Sequence, residues 1–222
     1  MTAIPRPPSW DALCSGWLAP LGAAAALERG DTAAPVEATR LGRRAASAAL
    51  ATLGAPALAV GDRQADGRPR WPDGTTGSIS HSAGLVVAVV APSARVQALG
   101  VDVEQVDGLG LDDAAFVLDD AELAAAARST RGGACGATLR WSAKEAAYKA
   151  WCELLGGAVP PVDPQADLHV EAGEDGSLHV RAAGPLGAAV VASGPAGQSL
   201  RGRWCELPGA VTTVLAQLRG IH

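Results

Sequence analysis

The spacing of apolar residues predicts one long helix in the first third of the chain. Apolar positions recur at helical intervals from Val36 to Leu53, and Gly54 followed by Pro56 is a normal helix stop. The Ala-rich stretch Ala23–Leu27 favours a short helix before it, because Ala has the highest helix propensity. The chain opens with an irregular arm that is marked by Pro5, Pro7 and Pro8.

Short apolar runs bounded by turn residues predict three strands after the long helix. The first two, Gly77–Ser82 and Leu85–Ala91, are joined by a tight turn at residues 82–84. The third runs from Val96 to Glu104. Before these strands, residues 61–77 are rich in Gly, Pro, Asp and Arg, which predicts an ordered loop; its arginines are Arg63, Arg68 and Arg70.

A Gly-containing break at residues 107–110 introduces a second half, and we place the boundary near residue 100, which gives halves 1–100 and 101–222. Helical patterns follow at 111–118 and 119–128, then a Gly-rich loop at 131–136 and a strong helix at 139–155. Further strands are predicted at 169–172, 177–181, 187–193 and 200–206. The whole is predicted to be α+β.

Composition narrows the class of protein. The 222 residues are 48% hydrophobic, enough for one sizeable core or two small ones. A net charge of -5 gives no overall attraction for nucleic acid, so any basic site must be local. No run reaches the length of a membrane span and the start lacks a secretory signal, so we expect a soluble cytoplasmic protein. The cysteines are too scattered for a zinc or redox motif and are interpreted as reduced packing residues: Cys14, Cys135, Cys152 and Cys205.

The segment Gly100–Glu104 places two carboxylates on one face of a predicted strand. Side chains alternate faces along a strand, so Asp102 and Glu104 point the same way, about 6 to 7 Å apart. Oxygen ligands in this arrangement suit a hard cation such as Mg²⁺. A half-buried strand with a solvated acidic face is the alternative interpretation.

The segment Trp141–Trp151 lies in the strong predicted helix. Glu145 and Lys149 are four residues apart and therefore lie on the same face. A functional site on this helix face is one interpretation. The alternative is structural: Ser142 with Glu145 fits a capping box, and Glu145 with Lys149 fits a routine surface ion pair.

Two further groups of residues point to an anionic ligand. Residues 78–82 form a short strand of hydroxyl residues around His81, although a single histidine is more often structural. Arginines are concentrated in the first third of an acidic chain, and the guanidinium fork matches phosphate oxygens. These arginines are Arg40, Arg43, Arg44, Arg63, Arg68 and Arg70.

In this order, the pieces resemble the 4'-phosphopantetheinyl transferases of the monomeric type that activates surfactin and enterobactin synthetases. The family's hallmark motifs G-[IV]-D-x-E and [WF]-[ST]-x-K-E-[AS]-x-x-K stand here at 100–104 and 141–149. Its upstream G-[KR]-P, W-P-x-G and S-[IL]-[ST]-H-[SC] segments match 67–69, 71–74 and 78–82. The resemblance covers about residues 36–155. It departs at 33–36, where the family often has further Lys or Arg and this chain reads AAPV.

The resemblance implies two similar α+β halves related by a pseudo-twofold axis, with coenzyme A in the cleft between them. It implies transfer of the phosphopantetheine arm of coenzyme A to a serine of an acyl or peptidyl carrier protein by a monomeric enzyme. Mg²⁺ would be held by Asp102, Glu104 and Glu145. The catalytic residues would be Glu145 and Lys149, and the contacts to coenzyme A would be Arg43, Arg68, Ser80, His81 and Lys144.

Two other functions fit parts of the pattern. A regulatory protein that binds coenzyme A or a nucleotide needs the cavity but has no need of all five charged motif residues. An unrelated Mg²⁺-dependent phosphohydrolase would use the same carboxylates but would release its product to water without a carrier protein.

Overall fold

The structure, a computed structural model, describes residues 9–55, 59–194 and 197–219. Four prolines named above therefore lie outside the described residues: Pro5, Pro7, Pro8 and Pro56. The chain begins with α1 (Trp10–Leu13), a π-helical turn (Cys14–Leu18) and a 3-10 turn (Ala19–Leu21). Then follow β1 (Ala24–Arg29), α2 (Pro35–Thr52), β2 (Gly61–Arg63), β3 (Pro69–Arg70), β4 (Thr75–Ser82) and β5 (Leu85–Pro92).

The remaining elements include the longest described helix and the longest described strand. They are β6 (Val96–Gln105), α3 (Leu111–Ala114), α4 (Asp120–Ala127), α5 (Gly133–Leu154), α6 (Pro164–Asp167), β7 (Leu168–Ala172), β8 (Ser177–Ala182), α7 (Gly184–Ala192), β9 (Ser199–Leu207) and β10 (Ala210–Leu218). Helices and strands are mixed in both parts of the chain, so the predicted α+β class is confirmed.

The first sheet is antiparallel with the order β1-β5-β4, and helix α2 packs on it. The helix buries Leu41 and Ala45 against Val86 of β5. Strands β4 and β5 are joined through Ala83 and Gly84, which have φ of 50° and 77°. Two central residues with positive φ give the turn whose twist matches that of the flanking strands. The predicted long helix 36–53, the strands 77–82 and 85–91 and the turn between them are confirmed, whereas the predicted loop 61–77 contains the short strands β2 and β3.

One prediction in this region is wrong, because the Ala-rich stretch Ala23–Leu27 is mostly strand rather than helix. It contributes to β1, which pairs with β5 from Ala24 opposite Val90 to Arg29 opposite Leu85. Differences in helix propensity amount to less than about 1 kcal/mol per residue. Pairing along the edge of a sheet therefore outweighs the preference of alanine for a helix.

The second sheet is antiparallel with the order β6-β10-β9-β8-β7, and α5 lies across it. The buried face of α5 is made largely of alanines, including Ala143 and Ala146, together with Trp151. The helix approaches β6 closely: a Cβ placed on Gly100 would lie 1.7 Å from the carbonyl oxygen of Ala146. Only glycine therefore permits this contact.

Three other predictions for the second half need correction. Residues 187–193 are not a strand but belong to helix α7, because a short apolar run cannot distinguish a strand from a buried helix. The Gly-rich stretch 131–136 is mostly the first turn of α5, so Ser142 lies inside that helix and caps nothing. Strand β10 was missed. It is buried along nearly its whole length and so lacks an alternating polar pattern.

The first sheet and α2 lie within residues 1–100, whereas the second sheet includes β6, which begins at Val96. A division at residues 100 and 101 cuts through β6, which runs from Val96 to Gln105, so the bounds 1–100 and 101–222 stay a prediction. Among the described residues, no helix is long and apolar enough to cross a bilayer.

Candidate active site

A cavity of about 590 Å³ is lined by elements of both halves. Helix α2, the segment 60–71 and strand β4 contribute from the first half. Strand β6, helix α5 and the residues just after α5 contribute from the second half. Six of the predicted site residues line it: Arg43, Arg68, Ser80, His81, Asp102 and Lys149.

Lys149 stands at the centre of the polar part of this cavity. Its Nζ donates to Oδ1 of Asp102 at 2.7 Å, to Oγ of Ser80 at 3.0 Å and to the carbonyl oxygen of Val101 at 3.2 Å. Ser80 also donates to Oδ1 of Asp102 at 2.8 Å. These contacts join β4, β6 and α5 around a buried carboxylate, so the two motifs and the histidine-bearing strand meet at the cavity.

Asp102 keeps one oxygen without a partner. Its side chain is only 4% exposed, and its Oδ2 is buried with no hydrogen bond among the described residues. A buried carboxylate oxygen without a donor is costly unless something else binds it. An orphaned buried carboxylate oxygen of this kind is suited to bind a cation.

Glu104 and Glu145 lie beside Asp102 but not in the cavity lining. Burial raises the pKa of Glu104, the charge of Asp102 adds to the rise, and the hydrogen bond from Ser82 offsets part of it. Burial also raises the pKa of Glu145; Lys149 opposes this change and Asp102 adds to it. The three carboxylates therefore repel one another, although no described trio of acidic, His or Cys side chains is already arranged as a metal site.

The predicted phosphate contacts reach the cavity to different degrees. Arg43 and Arg68 line it, but each is engaged by a carboxylate: Arg43 by Asp62 at 2.7 Å and Arg68 by Asp66 at 2.8 Å. His81 is exposed at its rim. Of the other arginines in the sequence cluster, Arg63 also lines the cavity, whereas Arg40, Arg44 and Arg70 do not.

Lys144 does not reach the cavity, which corrects the prediction that it contacts coenzyme A. Its side chain is 1% exposed, and its Nζ donates to Glu122 at 2.6 Å and to the carbonyl oxygens of Val117 and Pro164 at 2.7 Å. Five residues separate it from Lys149, which corresponds to a rotation of about 140° around the helix. The two lysines of the motif therefore point to different sides of α5.

Sequence reasoning missed several residues of the lining. Tyr148, Cys152 and Glu153 lie on α5, and Trp71 lies before β4. A signal existed for the helical residues, because positions 145, 148, 149 and 152 share one helix face. No periodicity marks Trp71, which follows strand β3; its signal was the W-P-x-G segment at 71–74.

The four cysteines form no disulfide, and all four lie within the described residues. Burial raises the pKa of Cys14 to about 11 and that of Cys205 to about 12, so neither forms a thiolate near neutral pH. The thiols of Cys14 and Cys205 pack in a hydrophobic cluster, as expected, whereas Cys152 lines the cavity.

The fold and the site together define an α+β protein with a cavity between two sheet-and-helix units. Arginine and lysine side chains line this cavity together with the buried carboxylate of Asp102. A family model described as the 4'-phosphopantetheinyl transferase N-terminal domain matches residues 39–91. A second, described as the 4'-phosphopantetheinyl transferase superfamily, matches residues 98–193.

Relatives of known identity agree with these models. The chain is 35% identical to 4'-phosphopantetheinyl transferase PptT of Mycobacterium tuberculosis, with 78% of this chain and 75% of the relative covered. It is 32% identical to 4'-phosphopantetheinyl transferase Svp of Streptomyces mobaraensis (78% and 69%) and 31% identical to enterobactin synthase component D of Salmonella typhi (80% and 70%). The chain belongs to the 4'-phosphopantetheinyl transferase superfamily, and the predicted resemblance is confirmed.

Proposed function

We propose that this protein transfers the 4'-phosphopantetheine group of coenzyme A to a serine of an apo acyl or peptidyl carrier protein. The products are the holo carrier protein and adenosine 3',5'-bisphosphate. Membership of the superfamily supports this reaction. The single structural observation that carries it is the meeting of Lys149, Ser80 and Asp102 at the cavity.

Coenzyme A is proposed to bind in the cavity with its phosphates facing the cationic residues. Arg43 and Arg68 supply guanidinium groups, which match phosphate oxygens in geometry as well as charge. Ser80 and His81 add hydrogen bonds from β4. Lys149 reaches the same part of the cavity from α5 and is the cation closest to the buried carboxylates.

A divalent cation, Mg²⁺ in our proposal, fits the acidic side of the site. Asp102, Glu104 and Glu145 would hold it, and the orphaned Oδ2 of Asp102 and the raised pKa values of both glutamates favour a cation there. When bound, Mg²⁺ supplies electrostatic stabilisation of the charge that develops on the transferring phosphate.

The protein's own groups account for the proton and the leaving group. The serine oxygen of the carrier forms a bond to the β-phosphorus, and the bond from that phosphorus to the bridging oxygen breaks. Glu145, directly or through a water, accepts the serine proton. The electron pair departs on the bisphosphate, whose charge Lys149 stabilises by hydrogen bonding.

The partners follow from the reaction. They are coenzyme A and an apo carrier protein, and neither nucleic acid nor a membrane takes part. We also propose that the enzyme is a cytoplasmic monomer built of two halves, close to residues 1–100 and 101–222. Size-exclusion chromatography with light scattering tests the monomer directly.

Intact-protein mass spectrometry tests the function. A panel of apo carrier proteins is incubated with the protein, coenzyme A and Mg²⁺, with EDTA in the control. We expect an EDTA-sensitive mass gain of one phosphopantetheine on some carriers. Coenzyme A binding without any mass gain would indicate a regulatory binder instead, and phosphopantetheine released to water without a carrier would indicate a phosphohydrolase.

A further inference from the structure

Arg68 is held by carboxylates from both halves of the protein. Its Nε donates to Oδ2 of Asp66 at 2.8 Å, within the turn between β2 and β3, and its Nη1 donates to Oε2 of Glu153 at 2.7 Å. Arg68 and Glu153 are 85 residues apart in sequence. The side chains are 16%, 32% and 24% exposed for Arg68, Asp66 and Glu153, so the cluster is partly shielded from water.

The backbone at Arg68 and at Gly157 favours this cluster of Arg68, Asp66 and Glu153. Asp66 also accepts a hydrogen bond from the backbone N–H of Arg68 at 3.1 Å, which fixes the turn. On the other side, Gly157 lies against the cluster just after α5. A Cβ there would lie 2.1 Å from Oδ2 of Asp66, and its φ of 83° also favours glycine.

Glu153 shares a helix face with Lys149, because the two are four residues apart on α5. Both line the cavity together with Arg68 and Asp66. Among the described residues, Nη2 of Arg68 makes no hydrogen bond, whereas Nε and Nη1 are both occupied. The two carboxylates thus fix the plane of the guanidinium and leave one nitrogen available to a ligand.

We propose that Glu153 is a positioning residue for coenzyme A binding, acting through Arg68. With Asp66 it holds the guanidinium in the cavity with Nη2 free to donate to a phosphate, and it ties the β2–β3 hairpin to α5. The proposal rests on the proposed function. An arginine side chain has large rotamer entropy, so fixing it in advance lowers the cost of ordering it when the ligand binds.

The charge of Glu153 and its orienting of Arg68 make opposite contributions to the affinity for coenzyme A. Two variants can therefore separate them. The carboxylate of Glu153 repels phosphates, but it also orients Arg68. Glu153→Gln removes the charge and keeps an oxygen acceptor for Nη1. Glu153→Ala removes both. Positioning therefore predicts that the two variants differ, and that the alanine variant binds coenzyme A more weakly.

Calorimetric titration of coenzyme A into the full-length protein with Mg²⁺ tests this prediction. We expect Glu153→Ala to raise the Kd by about 3- to 10-fold, a typical coupling between neighbouring groups, and Glu153→Gln to bind at least as tightly as the wild type. In steady-state assays the alanine variant should raise KM for coenzyme A more than it lowers kcat. Glu171→Ala, at a side chain that is 85% exposed, is the matched control.

A double-mutant cycle separates positioning from general damage. If Glu153 acts through Arg68, then Glu153→Ala has no further effect on the Kd in an Arg68→Ala background, and melting temperatures identify any variant that does not fold. Equal tightening by both Glu153 variants, or no change in either, overturns the proposal. A wild-type protein that does not bind coenzyme A would instead overturn the proposed function.

Discussion

Lys144 and Lys149 belong to one sequence motif but occupy different environments. Lys149 is 30% exposed and faces the cavity, whereas Lys144 is 1% exposed and paired with Glu122, which is 4% exposed. Removing one partner of a buried ion pair strongly destabilises the folded protein, because the remaining charge stays buried without its counter-charge. Lys144 is thus part of the framework that holds α5 against its neighbours.

The first prediction is that Lys144→Met lowers the free energy of unfolding by about 3 to 5 kcal/mol, since Glu122 is left buried and unpaired. Urea denaturation followed by circular dichroism measures it. Arg44→Met is the control: Arg44 is 55% exposed and pairs with Glu28 at 3.2 Å, and loss of this pair should cost about 1 kcal/mol or less. Equal effects of the two variants would contradict a structural role for Lys144.

Glu145 is the residue whose charge matters most for transfer in our proposal. We expect Glu145→Gln to lower kcat at least about 100-fold, the usual contribution of a general base, while the protein stays folded. Mass spectrometry of the carrier protein and a thermal melt give the two readouts. Glu171→Gln makes the same charge change at a remote, exposed site. Normal turnover by the Glu145 variant would remove this residue from the mechanism.

Asp119 gives a prediction about pH. Burial alone would raise its pKa, but hydrogen bonds from the backbone of Glu122 and from His169, with the charge of Lys144, outweigh burial and lower it. A carboxyl whose folded pKa is lowered stabilises the protein above its unfolded pKa, and that stability is lost as pH falls through the folded value.

Asp119→Asn keeps an oxygen acceptor for the helix cap but loses the charge. We expect it to lower the free energy of unfolding by about 0.5 to 1 kcal/mol at pH 5, with the difference disappearing towards pH 2. Urea denaturation at intervals between these pH values measures the difference in the free energy of unfolding between variant and wild type. A difference that persists at pH 2 would show that it does not arise from the charge of Asp119.

For single residues, the sequence motifs identified side chains that meet in the structure. They did not predict on which side of α5 a given side chain lies. Alternation along a strand correctly put Asp102 and Glu104 on one face of β6, where they contact Ser80 and Ser82 of β4. Lys144 was assigned by its motif alone. Its partner Glu122 lies 22 residues away in sequence, and no local sequence pattern predicts that contact.

At the scale of elements, the close approach of α5 to β6 determines whether Lys149 reaches Asp102. Gly100 has no side chain, and any Cβ would meet the backbone of Ala146. Helical periodicity and the strand pattern are sufficient to locate each element along the chain. The contact between them depends on small residues facing each other, which neither periodicity reveals.

We predict that Gly100→Ala destabilises the protein by about 1 to 3 kcal/mol or more, because the added methyl group overlaps backbone that has no room to move. Transfer activity should fall as well, since α5 must shift away from β6. Thermal denaturation and the carrier assay measure both effects. Gly16→Ala is the control: nothing lies within 4 Å of its added Cβ, so no destabilisation is expected, and alanine in this helical turn should stabilise the protein by up to about 1 kcal/mol.

The elements that sequence reasoning misassigned share a physical cause. Ala-rich β1 is a strand because it pairs with β5, and apolar α7 is a helix that buries Leu186 and Val190. In both cases tertiary contacts override local preference. Helix α2 and strands β4 and β6, which contribute to the site, were predicted with nearly correct bounds, whereas α5 begins six residues before its predicted start.

At the scale of the whole molecule, the final strand holds the second half together. Strand β10 pairs with β6 on one side, where Thr213 lies opposite Asp102, and with β9 on the other. Thr213 also forms a buried hydrogen bond of 2.9 Å with Ser142 of α5. The strand that carries Asp102 is thus joined to the rest of its sheet only through β10, among the described strands.

Ending the chain after Gly209 should therefore abolish cooperative folding of the second half rather than trim an edge. Removing β10 leaves β6 and β9 with unpaired backbone groups on their facing sides and exposes the apolar face beneath α5, which costs far more than the 5 to 15 kcal/mol that typically separates folded from unfolded domains. Far-ultraviolet circular dichroism and a thermal melt test this. A chain ending at Arg219 retains all of β10 and should melt like the wild type. A cooperative melt from the shorter chain would mean that β6 is held by its contacts with β4 and α5 alone.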